Sequence, residues 1–282
     1  MSHLYVIVVL VTLNLAGARA GGLMPPAVAD WAVAVLVLAP YGVLAVLATL
    51  ATAWCTGRLD RRGDAGAVVL SGRVLLATRL CALGWHAVTV FVLGLLALVR
   101  ARTGDLVLVD ELIASVPAFA LLLWTYRLAH PVERRVREAV MIRDLDEGRP
   151  VYAFPGPWRY VLASARNNLA IMAVPLVMIL GWAELLDRGL VYLGFASDRS
   201  LLAPALQIGG ALCIFALIPP IMVRVWDTVP IPPGPLRTEL ERLAATHRIR
   251  VRRFLVWRTG GAMLNAAVIG LTPWLRYIVL TD

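Results

Sequence analysis

Long runs of apolar residues, separated by short polar and arginine-rich stretches, fill the first 223 residues of the chain. A helix needs about 20 mostly apolar residues to cross the hydrocarbon core of a bilayer. Most of the runs have about that length, and the one at 112–126 reaches it with residues 106–111. The pattern therefore predicts membrane-spanning helices at residues 31–55, 81–99, 112–126, 168–186 and 201–223.

The first apolar run, residues 4–16, has two interpretations. It continues to residue 24 as a sixth span, with Arg19 reaching the interface, or it is a cleaved signal peptide ending near Ala18-Arg19-Ala20. Because no Lys or Arg precedes the apolar stretch, we favour the span. The prediction is a polytopic helical membrane bundle of about six spans.

The arginines are distributed unequally between the two sides of these spans. Of the 27 basic residues, all of them Arg, 22 fall on one side, together with both long connectors and the C-terminal tail. Basic residues are enriched in cytoplasmic loops. The sequence therefore predicts an integral protein of the bacterial inner membrane with a cytoplasmic tail. Tryptophans near predicted span ends are typical of an interfacial aromatic belt: Trp31, Trp54, Trp124, Trp182 and Trp226.

One long connector, residues 131–147, has the pattern of a charged amphipathic helix. Val132, Val136 and Val140 form its apolar stripe, and arginines occupy much of the remaining surface. Such a helix lies along the anionic inner leaflet or packs against the tail, and the pattern does not distinguish these arrangements.

The composition changes after residue 223. Residues 227–235 contain four prolines, which predicts a stiff linker without helix. A helix is expected from Pro235 to about His247, followed by strands at 252–257 and 276–281 around a turn at 259–261. We therefore divide the chain into a transmembrane helical domain, 1–223, and a linker with the start of an α+β domain, 224–282.

Composition supports the membrane assignment. Hydrophobic residues make up 60% of the chain and charged residues 16%, against roughly 45–50% and 25% in soluble proteins. The net charge of +9 is concentrated between apolar runs, which favours a lipid bilayer over nucleic acid as the partner. Three widely separated cysteines without a CxxC pair support neither a disulfide framework nor a thiolate zinc site.

Polar residues inside or beside spans are candidate functional groups in a membrane protein. His86 is isolated, and an isolated histidine is more often a packing residue than a ligand. Asp110, Glu111 and Glu184 lie near predicted span ends, where water reaches them. These positions form no chain of carboxylates through the bilayer, so an ion pathway has little support.

The tail carries a family resemblance. Its ordered pieces are Pro-x-Gly-Pro-Leu-Arg from Pro232, Val256-Trp257-Arg258-Thr259-Gly260-Gly261, Asn265-Ala266 with Gly270, and Arg276-Tyr277-Ile278-Val279-Leu280-Thr281-Asp282. Roughly residues 230–282 thus resemble the region before the active site in membrane zinc metallopeptidases of the HtpX and CAAX-prenyl-protease type. Ala267 departs from the pattern, because many members have an aromatic residue there.

The resemblance implies a membrane-anchored metalloendopeptidase that cleaves peptides or membrane proteins with a zinc-activated water. In that family a His-Glu-x-x-His helix follows the Thr-Asp strand, and a downstream Glu completes the zinc site. Strands around Asn265 and residues 276–281 would form the sheet beside the cleft. Candidate substrate-cleft or structural residues are Asn265, Ala266, Gly270, Arg276 and Tyr277.

No His-Glu-x-x-His occurs in these 282 residues, and the four histidines, His3, His86, His130 and His247, are isolated. We expect no catalytic or metal-binding residue in this chain, which would be an inactive fragment of a longer zinc enzyme. One alternative is a non-catalytic membrane scaffold or sensor. Another is a small transporter, although the halves of the chain show no internal similarity.

Overall fold

The structure is a computed structural model, and it describes residues 2–17, 30–104, 106–148, 151, 153–192, 202–259 and 265–281. The chain divides into two compact units, Met1–Leu180 and Gly181–Asp282, with the division inside one long helix. Each unit has its own internal packing. Both are mainly helical, and the second also contains a small sheet.

The first unit is a bundle of apolar helices. Its helices are α1 (Ser2–Gly17), α2 (Asp30–Arg62), α3 (Ala65–Phe91), α4 (Leu95–Thr103), α5 (Val109–Asp146), α6 (Pro157–Asn168) and the first part of α7 (Ala170–Tyr192). Helices α1, α2, α3 and α5 pack together, and α4 and α6 pack against α5. The bundle core includes Tyr5 and Val9 of α1, Val37 of α2, Ala82 of α3 and Leu122 of α5.

Five described helices are long and apolar enough to cross a membrane: α2, α3, α5, α7 and α8 (Leu202–Val225). Most of their side chains are not buried within the protein, as expected of helices that face lipid. The chain is therefore an integral membrane protein. Helix α1 is apolar but shorter, so it is not counted among the five. The extension of this run to residue 24 lies outside the described residues.

Two helix predictions in this unit need correction. The bounds of the second predicted span, 81–99, are wrong, because the spanning helix α3 begins at Ala65 and ends at Phe91. Asp64 caps its start by accepting the Gly66 N–H, and Gly94 has a left-handed conformation that starts the separate helix α4. Arg73 and Arg79 thus belong to a spanning helix. Residues 131–146 are the end of α5, which passes through Pro131 without a break.

The second unit contains the rest of α7, helix α8, and a four-stranded sheet of β1 (Thr228–Pro230), β2 (Arg253–Trp257), β3 (Ala266–Ile269) and β4 (Tyr277–Thr281). The strand order is β1-β2-β4-β3; β2 and β4 are parallel, and the outer pairs are antiparallel. Helix α9 (Pro235–Thr246) connects β1 to β2. Three predictions are confirmed within one residue: this helix and the strands β2 and β4.

Strand β1 is a correction to the predicted linker. Val229 pairs with Val256, and Pro230 is tolerated because β1 is an edge strand. The sheet is joined to the end of α8 by two stacked indoles, Trp226 and Trp257, whose ring centroids are 4.4 Å apart. Trp226 is buried, so it is not the interfacial residue that its position near a span end suggested.

Candidate functional site

Strand β3 forms one open edge of the sheet. It pairs with β4 on one side, and no other described residue pairs with its outer side. The side chains of Ala266, Ala267 and Val268 are exposed, Val268 by 58%. The opposite edge, β1, is shorter and contains Pro230, which has no N–H to donate. Of the two edges, β3 therefore offers the better template for an added strand.

The ladder pattern identifies the main-chain groups that point outward. The Thr281 N–H donates to the Asn265 carbonyl oxygen at 3.0 Å, so these two residues face each other as a hydrogen-bonded pair. Hydrogen-bonded and non-hydrogen-bonded pairs alternate in an antiparallel ladder. Ala266 and Val268 therefore turn their main-chain N–H and C=O groups toward the open edge.

Asn265 fixes the start of this strand. Its backbone N–H donates to the Thr281 hydroxyl oxygen at 2.7 Å, and that hydroxyl in turn donates to the Asn265 carbonyl oxygen at 3.0 Å. Its side-chain Oδ1 accepts the Ala266 N–H at 2.8 Å. Asn265 thus links β3 to the end of β4 by hydrogen bonds. Its side chain also accepts the Ala266 N–H, one of the two main-chain N–H groups that point outward. Residues 260 and 261 of the predicted turn lie outside the described residues, as do residues 262–264 and Asp282.

Gly270, Arg276 and Tyr277 lie at the other end of the β3–β4 hairpin. Gly270 has φ +114°, and a Cβ there would overlap the Leu275 carbonyl oxygen and lie 2.7 Å from the Arg276 Cα. The Arg276 guanidinium donates to the carbonyl oxygens of Gly270 and Leu271, at 3.5 and 3.3 Å. These contacts shape the turn, so Gly270 and Arg276 have structural positions.

Tyr277 is buried at the start of β4, where its hydroxyl accepts a hydrogen bond from the Arg252 guanidinium at 3.2 Å. The five candidates are therefore not one cluster. Asn265 and Ala266 stand at the exposed start of the edge strand, and the other three hold the far end of the hairpin.

The two faces of the sheet differ. The side chains of Leu255, Trp257, Tyr277 and Val279 share one face, and all four are buried. The second face is also apolar but only half-buried or exposed; its side chains are Phe254, Val256, Val268, Ile278 and Leu280. Successive side chains of a strand point to opposite faces, and here both sets are apolar. This is typical of a sheet that is covered on both sides.

A buried ionic cluster joins α4 to α5 in the first unit. The Arg100 guanidinium contacts the Asp110 carboxylate at 3.2 Å and the Glu111 carboxylate at 2.6 Å. The Asp110 side chain is 0% exposed. The prediction that water solvates Asp110 is therefore wrong, because Arg100 of the neighbouring helix compensates its charge instead, while the Glu111 side chain keeps 13% exposure. His86 is fully buried within the bundle.

The described residues do not provide a zinc site. No group of three or more His, Cys, Asp or Glu side chains among them could hold a metal ion. His130 contacts the aromatic rings of Phe154 and Tyr160 and hydrogen-bonds the Pro155 carbonyl oxygen, as a packing residue does. No match was found for the chain among protein-family models, curated proteins or solved structures.

Proposed function

We propose that this chain supplies the membrane anchor and the substrate-binding sheet of a zinc metallopeptidase of the HtpX and CAAX-prenyl-protease type. The observation that carries the proposal is the position of Asn265-Ala266 at the start of an open edge strand. These residues carry the resemblance to that family, and an open edge is the feature that a peptide needs for binding by strand addition.

The substrate in this proposal is an extended segment of a peptide or membrane protein. It would pair with the outward main-chain groups of Ala266 and Val268, and Asn265 would release the Ala266 N–H when the substrate binds. Main-chain pairing is insensitive to side-chain identity, so it suits an enzyme that accepts many unfolded sequences.

The half-exposed apolar face of the sheet gives further support. In a small mixed sheet an apolar face is normally covered by a helix. In the proposal, a helix carrying His-Glu-x-x-His packs there, and sequence after residue 282 contributes it. The described residues of this chain offer no zinc site. In the proposal they bind and position substrate, while the metal and the catalytic Glu belong to that further sequence.

The first test extends the reading frame. We expect His-Glu-x-x-His within about 40 codons after residue 282, with a glutamate further on. Purified full-length protein should then bind one equivalent of zinc and degrade an unfolded protein such as casein, with activity lost on chelation and restored by zinc. A gene that encodes no such motif, or a full-length protein that binds no zinc, would overturn the peptidase proposal and leave the two alternatives, a non-catalytic membrane scaffold or sensor and a small transporter.

A variant pair tests the binding edge in the full-length protein. Val268→Pro removes an outward N–H but no ladder hydrogen bond, a position where edge strands tolerate proline. We expect kcat/KM for casein to fall by about tenfold or more. Val268→Thr keeps the N–H and should stay within about twofold of the natural protein. Equal activity of both variants, with unchanged thermal unfolding, would show that substrate does not pair with β3.

The proposal also places the protein in the bacterial inner membrane with its sheet on the cytoplasmic side. The arginine distribution supports this orientation. Arg73 and Arg79 belong to α3 and not to the connector that the sequence had suggested. Most of the remaining arginines still fall on the side of the tail.

A further inference from the structure

The turn between β3 and β4 presents an apolar surface. Leu271 and Trp274 are 71% and 74% exposed, and Pro273 between them is also exposed. Single exposed apolar residues are ordinary in proteins. Three of them within four residues, one a tryptophan, form an exposed apolar patch, a feature that marks membrane or protein interaction sites.

The patch is held in a defined shape. Gly270 makes the turn possible through its positive φ, and Arg276 donates to the carbonyl oxygens of Gly270 and Leu271. The Leu275 N–H donates to the Thr272 carbonyl oxygen at 3.0 Å within the 3-10 turn Pro273–Leu275. Leu271 and Trp274 are therefore presented by a braced turn and not by a free loop.

The same turn packs against α8, which is long and apolar enough to cross the membrane. Both elements belong to the second compact unit. Other side chains of α8 are exposed and apolar, including Leu212, Phe215 and Leu217, as expected of a surface that contacts lipid. The exposed turn therefore adjoins a helix whose own surroundings are the bilayer.

The chemistry of the patch matches the layer where a bilayer meets water. Tryptophan is enriched there because its ring is apolar while its indole N–H can bond water or headgroups. Arg276 lies in the turn, and the exposed Arg253 pairs with Tyr277, the first residue of β4. Their charges complement anionic headgroups.

We propose that Leu271 and Trp274 insert into the interfacial layer of the bilayer that α8 crosses, and that this turn fixes the sheet against the membrane surface. The partner is the lipid interface, favoured when it contains anionic lipid. The inference depends on the membrane assignment and not on peptidase activity. It gives the β3 hairpin a second point of attachment to the membrane, in addition to the covalent connection through α8.

The experiment uses single-cysteine proteins in nanodiscs of phosphatidylethanolamine and phosphatidylglycerol. Cys55, Cys81 and Cys213 are first replaced by alanine, and either Trp274→Cys or Leu236→Cys is introduced for labelling with a bimane fluorophore. Leu236 of α9 is the matched control, because it is an apolar residue of the same unit and is 56% exposed. Fluorescence is quenched by lipids that carry a nitroxide at the headgroup or by iodide in water.

We expect lipid quenching at 274 to exceed that at 236 by about threefold, and iodide quenching to show the reverse order. Removing phosphatidylglycerol should weaken the lipid quenching at 274. Equal lipid quenching at the two positions would overturn the proposal, because the turn would then contact the bilayer no more than the control helix α9 does. Full iodide access at 274, or protection of 274 from both quenchers, would overturn it as well.

Discussion

The backbone conformation of Gly270 determines whether the turn between β3 and β4 can form. Its φ of +114° lies in a region that side chains strongly disfavour, and the neighbouring backbone at Leu275 and Arg276 leaves no room for a Cβ. The hairpin that carries the open edge strand depends on this residue. Its role is conformational, and no contact with a ligand is needed to explain it.

Gly270→Ala should therefore destabilise the second unit. The conformation alone costs roughly 1–3 kcal/mol, and the overlap with the backbone adds to it. Thermal unfolding in detergent should show a lower midpoint, and limited proteolysis should cut the β3–β4 turn. Gly234→Ala is the control, because no atom lies within 4 Å of a Cβ there. An unchanged midpoint for Gly270→Ala would contradict this account.

Asp64 is a second residue with a local role, at the start of α3. The hydrogen bond from the Gly66 N–H, together with the Arg58 guanidinium at 2.6 Å, lowers the pKa of its carboxyl below the ordinary 3.8. A carboxyl with a lowered pKa stabilises the folded state above its ordinary pKa, and this contribution is lost as the pH falls through the lowered value.

At pH 7 we expect the thermal unfolding midpoint to be highest for the natural protein, lower for Asp64→Asn and lowest for Asp64→Ala. Asparagine keeps an acceptor for the Gly66 N–H but loses the charge beside Arg58, and alanine loses both. The difference between the natural protein and Asp64→Asn should shrink as the pH falls below 3.8. A difference that is constant with pH would show that the carboxylate charge has no part.

At the scale of elements, α4 contacts α5 through an ion pair in addition to the apolar core in which Leu95 and Leu96 are buried. It is a nine-residue helix between two left-handed glycines, Gly94 and Gly104. Burial of the Asp110 carboxylate, with 0% exposure, is compensated by Arg100. Removing one partner of a buried ion pair leaves the other charge without compensation, which costs more than the pair contributes.

Arg100→Met should destabilise the first unit by roughly 3 kcal/mol, and adding Asp110→Asn should recover part of that loss. The matched control is Arg143→Met, which removes a largely exposed contact with Glu147 and should cost about 0.5 kcal/mol or less. Urea or SDS titration of the purified protein measures all three. Similar losses for Arg100→Met and Arg143→Met would show that burial of Asp110 is unimportant.

At the scale of the whole molecule, the arginine distribution predicts which connections face the cytoplasm. Cysteines introduced at Ala101 and Glu147, both exposed, sample the two sides. In a cysteine-free background, a membrane-impermeant maleimide applied to intact cells should label Ala101→Cys and leave Glu147→Cys unlabelled until the cells are permeabilised. The reverse pattern would invert the proposed orientation, while equal labelling of both would contradict a single topology.

The extent of sequence-based prediction differs between spans and connections. The apolar runs 31–55, 168–186 and 201–223 correspond to α2, α7 and α8, because apolar length directly reflects the thickness of a bilayer. The bounds of the predicted span 81–99 are wrong, since the Gly94 break interrupts continuous apolar sequence and the arginine-containing start of α3 does not resemble a span. Proline at 131 suggested a helix start but is accommodated inside α5.

By itself, the sequence determined the membrane class, most of the spans, and strands β2 and β4, because these follow from local hydrophobicity and periodicity. Only the tertiary structure decided that β1 joins the sheet, that β3 is its open edge, that Trp226 stacks on Trp257, and that Arg100 compensates Asp110. Each of these depends on residues far apart in the chain, whose pairing is set by packing and not by any local pattern.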